Sequence, residues 1–156
     1  MQFDPTLDLE LTRFFTAPPA KVWRCFTDLD LFRQWWTPKP VKTTDVVMDL
    51  RPGGRFFTLM VLPDGTEMPN DGSFLEVIPA QKIAFTDLFM PDWQPNAAPD
   101  LGFAGIMTFA PEGSGTRYTA CARHRNNKDR NIHSEMGFHD GWGTVADQLG
   151  ALAAGL

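Results

Sequence analysis

At 156 residues the chain is long enough to bury a substantial core. Its 43% hydrophobic and 21% charged side chains are those of an ordinary soluble globular protein, expected as one domain over residues 1–156. A net charge of −5 argues mildly against nucleic acid as a partner, since phosphate binding needs a basic face. No apolar run approaches the ~18 residues of a membrane span, and the acidic N-terminus carries no signal-peptide pattern, so a cytoplasmic location is expected.

Leu7 to Phe15 alternates in part and predicts a first strand. Ala17-Pro18-Pro19 stops it and opens a short helix with Val22, Trp23 and Phe26 on one face, since proline is tolerated in a first helical turn. Asp28 is placed to cap a second short helix carrying Leu31, Phe32 and Trp35, which Thr37-Pro38-Lys39-Pro40 ends. Strands are then predicted over Thr43–Leu50, Arg55–Leu62, Thr66–Ile78 with an interruption near Pro69–Gly72, and Gln81–Phe89. A proline-rich loop, Met90–Asp100, precedes two more, Phe103–Phe109 and Thr116–His124. The connections are short, which means antiparallel hairpins and not parallel crossovers.

Asn126 or Asn127 is expected to cap one long last helix, with Asp129 in its first turn. Phe138, Trp142, Val145, Leu149 and Leu152 recur along it at helical spacing. Glycine at 137, 141 and 143 costs that helix about 1 kcal/mol each relative to alanine, a cost accepted where missing side chains leave room for something close by. An antiparallel sheet of six or seven strands must bury one face, and this helix is the element long enough to cover it. The fold class is α+β, a curved sheet wrapped on a C-terminal helix and hollowed out beside it.

The order of elements and several local sequences resemble the SRPBCC or START-like helix-grip superfamily, in its branch related to the heat-shock-protein-90 ATPase activator and often labelled polyketide-cyclase-like. The pieces that carry the resemblance are Ala17–Trp23, Gln34-Trp35-Trp36, Asp49–Gly54, Pro63-Asp64-Gly65, Gly72–Val77, Gly115–Thr119 and Met136–Trp142, in order along nearly the whole chain. The resemblance implies a deep apolar cavity between sheet and C-terminal helix that holds a hydrophobic molecule. It transfers no catalytic motif.

Within that frame the residues expected to touch a ligand are Trp36, Phe56, Met60, Phe85, Asp87, Met107, Tyr118, Ala120, His124, Met136, Gly137, Gly141 and Trp142. Tyr118, Ala120, Ala122 and His124 share a strand parity, so two small residues follow the tyrosine inward and His124 stands at the cavity mouth. His124 is a candidate acid or base, set against the common fate of a strand-end histidine beside Arg123 and Arg125, which is exposure. Asp87 shares parity with Ile83 and Phe85; it is read as a strand-end residue bonding backbone amides before it is read as a desolvated general acid. Thr108 is a further candidate for orienting a ligand. Trp35 and Trp36 divide between the core and a lid on the cavity.

Phe56, Thr58 and Met60 are the inward set that the resemblance implies for a strand whose other parity, Phe57, Leu59 and Val61, is also apolar, so hydrophobicity does not choose between them. That second apolar face implies a homodimer surface or a flank covered by the proline-rich loop, which is itself a candidate flap over the pocket. His133 and His139, six residues apart, fall on different helix faces and are read as solvated or capping, so no metal and no cofactor is expected. Cys25 and Cys121 lack metal or CxxC spacing and are read as reduced, buried thiols. The run Arg123–Arg130 is read as a solvated turn before an anion site.

Binding of a small hydrophobic molecule is the leading functional expectation. A cyclase or dehydratase using the same cavity is the alternative, so an enzyme is disfavoured without being excluded. A co-chaperone acting on a heat-shock-protein ATPase comes third.

Overall fold

The structure, a computed structural model, describes residues 1–156. Strand β1 (Asp8–Phe15) turns at the two prolines into α1 (Pro19–Thr27), whose inward face buries Val22, Cys25 and Phe26. The Asp28 side chain then accepts from the amides of Asp30 and Leu31, capping α2 (Leu29–Phe32). Strands β2 (Lys42–Met48), β3 (Arg55–Val61), β4 (Glu67–Ile78) and β5 (Lys82–Thr86) follow. After them come the short β6 (Phe89–Met90) and β7 (Gln94–Pro95), then β8 (Phe103–Glu112) and β9 (Gly115–His124). Seven strands form one antiparallel sheet in the order β1-β9-β8-β5-β4-β3-β2, and β6 with β7 makes a separate hairpin. The α+β expectation holds, including the two short helices after the first strand and the covering C-terminal helix.

The last helix, however, is two. The Asn126 side chain accepts from the Asp129 amide and starts α3 (Asn127–Glu135). Gly137 then turns the chain at φ +93°, a conformation that favours glycine, and α4 (Phe138–Ala154) begins. The expected interruption of the Thr66–Ile78 strand is also absent. β4 runs through Pro69, Asn70, Asp71 and Gly72, which pair with β3 opposite Leu59 to Phe56, and its register shift lies later, between Phe74 and Glu76. Pro69 is tolerated because β5 reaches only Ser73–Ile78, so the missing amide faces an unpaired edge.

The proline-rich segment is not a flap. It folds as the β6–β7 hairpin with a tight turn at Pro91–Trp93 and packs against β3 and β4, where the Asp92 amide donates to Gly53 O at 2.8 Å. The Trp93 indole covers Gly53 so closely that a Cβ there would stand 2.8 Å from Nε1.

α4 lies along the edge strand β1. Gly143 leaves room for the Arg13 guanidinium of β1, 2.8 Å from where its Cβ would be, and Arg13 Nε pairs with Asp147 at 3.0 Å. Gly150 similarly admits the Phe15 ring. Of the helix glycines beside the sheet, Gly141 alone faces open space. At the other end an aromatic cluster of Phe26, Phe32, Trp35, Trp36, Phe56 and Phe109 closes the interior with ring centroids 4.6–6.1 Å apart. Trp35 is fully buried and its indole N–H donates to Cys25 O at 2.9 Å. With α4 at one edge and this cluster at one end, space is left against the inner face of the central strands.

Two glycine substitutions should therefore act in opposite directions in urea unfolding. Gly72→Ala puts a Cβ 2.1 Å from the Thr86 carbonyl oxygen, a backbone atom, and is expected to cost on the order of 2–3 kcal/mol. Gly141→Ala meets nothing within 4 Å and is expected to stabilise by about 1 kcal/mol through helix propensity.

Candidate functional site

Between the inner face of the sheet and the α3–α4 pair lies a cavity of about 750 Å³. Trp36, Phe56, Met60, Phe85, Asp87, Met107, Tyr118, Met136, Gly141 and Trp142 line it. Ala120 is packed in the core behind this wall, His124 sits buried one layer further out, and Gly137 lies at the helix junction away from the cavity. Met68, Ile132 and Met136 belong to the lining yet are 43–66% exposed, so they mark where it opens to solvent. Phe103 also lines it and was legible as a wall residue, because it shares the inward parity of Met107 and Phe109 on β8. Thr108, of the opposite parity, pairs with Thr119 and Lys82 and does not reach the cavity.

The polar groups around this apolar space differ in what they are free to do. Asp87 is fully engaged: Oδ2 accepts from the amides of Leu101 and Gly102 at 2.8 and 3.0 Å, and Oδ1 from that of Phe103 at 3.0 Å. It pins the return of the chain into β8, which is the strand-end role. Asp71 is held in a two-pronged ion pair with Arg55, and Thr86 donates to Phe103 O. In the basic run Arg123 pairs with the buried Asp8 and Arg125 with Asp129, while Lys128 and Arg130 make no ion pair. Cys25 and Cys121 are free and buried, their thiols pushed up to about 11 and about 12 by burial, and so unreactive near neutral pH.

The histidines depart most from expectation. His124 and His133 are 3% and 4% exposed, not solvated, and they meet: His124 Nε2 lies 2.8 Å from His133 Nδ1, and His124 Nδ1 lies 2.8 Å from Leu7 O. A carbonyl only accepts, so His124 Nδ1 carries a proton. In the neutral pair His124 Nε2 then accepts from His133 Nδ1–H, which leaves His133 Nε2 as a bare lone pair. His133 lines the cavity between the rings of Phe103, Phe138 and Trp142, with centroids 5.3–5.8 Å away. No local pattern flags it, since its partner is on a strand and its surroundings come from three elements. His139 is exposed, as expected. No three His, Cys, Asp or Glu side chains converge to hold a metal ion.

Neither His133 Nε2 nor the Tyr118 hydroxyl has a partner in the protein. Both open on the cavity, because Arg130 Nε is the one buried side-chain polar atom closed off without a bond. Burial pushes the Tyr118 phenol up. Burial first, and then His124, lowers His133 to about 4, while Asp87 opposes the shift.

That depression has a sign for stability. The unfolded chain takes up the His133 proton near the ordinary 6.5 and the folded chain only near 4, so the contribution is full above about 6.5 and is lost as pH falls toward 4. His133→Phe, which keeps the aromatic packing, is expected to flatten the fall of Tm between pH 6.5 and 4 relative to the parent, by thermal melts at half-unit steps.

The comparisons with known proteins bear on the whole chain. The profile of the Activator of Hsp90 ATPase homolog 1-like protein family matches residues 16–154. Among solved structures, protein NE0264 from Nitrosomonas europaea is 41% identical over 96% of each chain, with a TM-score of 0.91. Protein Ms6760 from Mycobacterium smegmatis is 30% identical over 94% of this chain and 90% of that one, with a TM-score of 0.78. An AHSA1-like protein from Aeromonas hydrophila, 20% identical over 96% of this chain and 93% of that one with a TM-score of 0.74, shares the fold. No curated protein matches the sequence. The seven-stranded sheet closed by α4 is the START-like helix grip, and with the family profile spanning residues 16–154 the chain belongs to the Activator of Hsp90 ATPase homolog 1-like family.

Proposed function

We propose that the chain binds a small, largely apolar molecule in the cavity between the sheet and α4. The observation that carries this reading is the wall itself: a cavity of about 750 Å³ lined by Trp36, Phe56, Phe85, Met107, Trp142 and other apolar side chains, in the size range of drug-like ligands. Burial of apolar ligand surface at roughly 25 cal/mol per Å² supplies the affinity. Gly141 is the helix position that keeps the space open.

A cyclase or dehydratase in the same cavity is a second reading, and His133 Nε2 is the group that speaks for it. A basicity near 4 makes that nitrogen a weak proton acceptor, and Asp87 is occupied by three amides, so binding is the stronger reading. The third expectation, action on a heat-shock-protein ATPase, draws on the family's name and not on the cavity.

The test pairs native mass spectrometry of protein purified from its own host with titration of a fluorescent apolar probe, 1-methoxypyrene. Gly141→Phe fills the cavity from α4 and is expected to remove any co-purifying compound and weaken the probe at least tenfold, with Tm unchanged or raised. Probe binding that Gly141→Phe leaves untouched would place the ligand elsewhere and overturn the proposal.

A further inference from the structure

Every group that orients a ligand in this cavity must be a polar atom facing it without a protein partner. Asp71 and Asp87 are already paired, the unpaired Asp100 is exposed to solvent, and no lysine or arginine lines the space. The hydroxyls of Tyr118 and Thr58 can each rotate to give a proton or take one. His133 Nε2 has no such freedom. His133 is only 4% exposed, and its other nitrogen is committed to His124, itself locked by Leu7 O. It therefore presents a fixed lone pair at one end of an apolar chamber, and a ligand group without a proton to give would leave that acceptor desolvated and unmatched.

We infer that the ligand is an uncharged molecule carrying a hydroxyl or N–H donor, which bonds to His133 Nε2 while its apolar body fills the cavity. The inference rests on the cavity-binding reading above and narrows it to a chemical class. The same wall offers a carboxylate or phosphate three aspartates and no cation, so it favours an uncharged molecule over an anion. Tyr118 lies six residues before His124 on β9, on the order of 20 Å along the strand, so the Tyr118 hydroxyl and His133 stand toward opposite ends of the cavity. A long or fused-ring molecule with its donor at one end fits this arrangement. His124 is then a positioning residue: it never meets the ligand and sets which proton His133 carries.

The test uses three probes of one shape at pH 7, 1-hydroxypyrene, 1-methoxypyrene and 1-pyrenecarboxylate, titrated by fluorescence into the full chain and into His133→Phe and Gly141→Phe. The hydroxyl probe is expected to bind about tenfold tighter than its methyl ether, with the carboxylate weakest, and His133→Phe should erase the hydroxyl preference while leaving methyl ether binding intact. Equal binding of hydroxyl and ether, with both lost in Gly141→Phe, would sink the donor requirement and leave the cavity reading standing. Binding of neither, or binding indifferent to Gly141→Phe, would sink both. Two-bond proton–nitrogen correlation spectra of the histidine rings give a readout that needs no ligand and no variant. His133 Nε2 should be the unprotonated nitrogen, and a proton found on it overturns the inference directly.

Discussion

The arrangement depends on one turn. From Asn127 to Ala154 the pattern reads as a single helix, yet at Gly137 the backbone passes through φ +93°, where a side chain is strained and glycine is not. The Met136 amide closes α3 on Ile132 O, and the Gly141 amide opens α4 on Gly137 O, so hydrogen bonding continues while the axis changes direction. α4 is then free to follow the edge strand β1 while α3 stays against the end of β9. The first gives the cavity its roof, and the second brings His133 to His124.

The cavity follows from where α4 settles. Two of its close approaches to the sheet are made by β1 side chains filling glycine notches, Arg13 at Gly143 and Phe15 at Gly150. These hold the helix at the edge, and the width of the sheet beyond exceeds what one helix covers. The aromatic cluster around Phe26, Trp35 and Phe56 seals one end, while exposed Met68, Ile132 and Met136 leave another open. An apolar wall with nothing against it forfeits dispersion contacts. A ligand restores them, which is the energetic reason such a space favours an occupant.

Much of the fold was legible because it is written in local chemistry. Alternation located the strands, Pro18-Pro19 and Asp28 started the two short helices, and Asn126 capped α3 as its type and spacing suggested. Phe85 and Met107 on the cavity wall follow the inward parity of their strands, whereas Phe56 and Met60 came from the family resemblance, since both faces of their strand are apolar. Thr108 was named against its outward parity, and parity put Ala120 and His124 on the inner face without showing that they lie behind the wall. Pro69 misled because proline's objection to a strand applies to a paired amide, and here the neighbouring strand stops short.

By itself the sequence determined the class of the fold, the order of its elements, the apolar character of its interior and the glycines that would leave space, since each rests on period, propensity or the absence of a side chain. Which glycine borders a cavity and which makes room for arginine, whether the proline-rich loop covers the mouth or the flank of the sheet, and which histidine lines the cavity were decided by tertiary structure alone. These depend on groups from separate elements arriving within 3 Å of one another, as Leu7, His124 and His133 do. The desolvation and fixed hydrogen bonding that give His133 its character exist only once the sheet and α3 have closed around it.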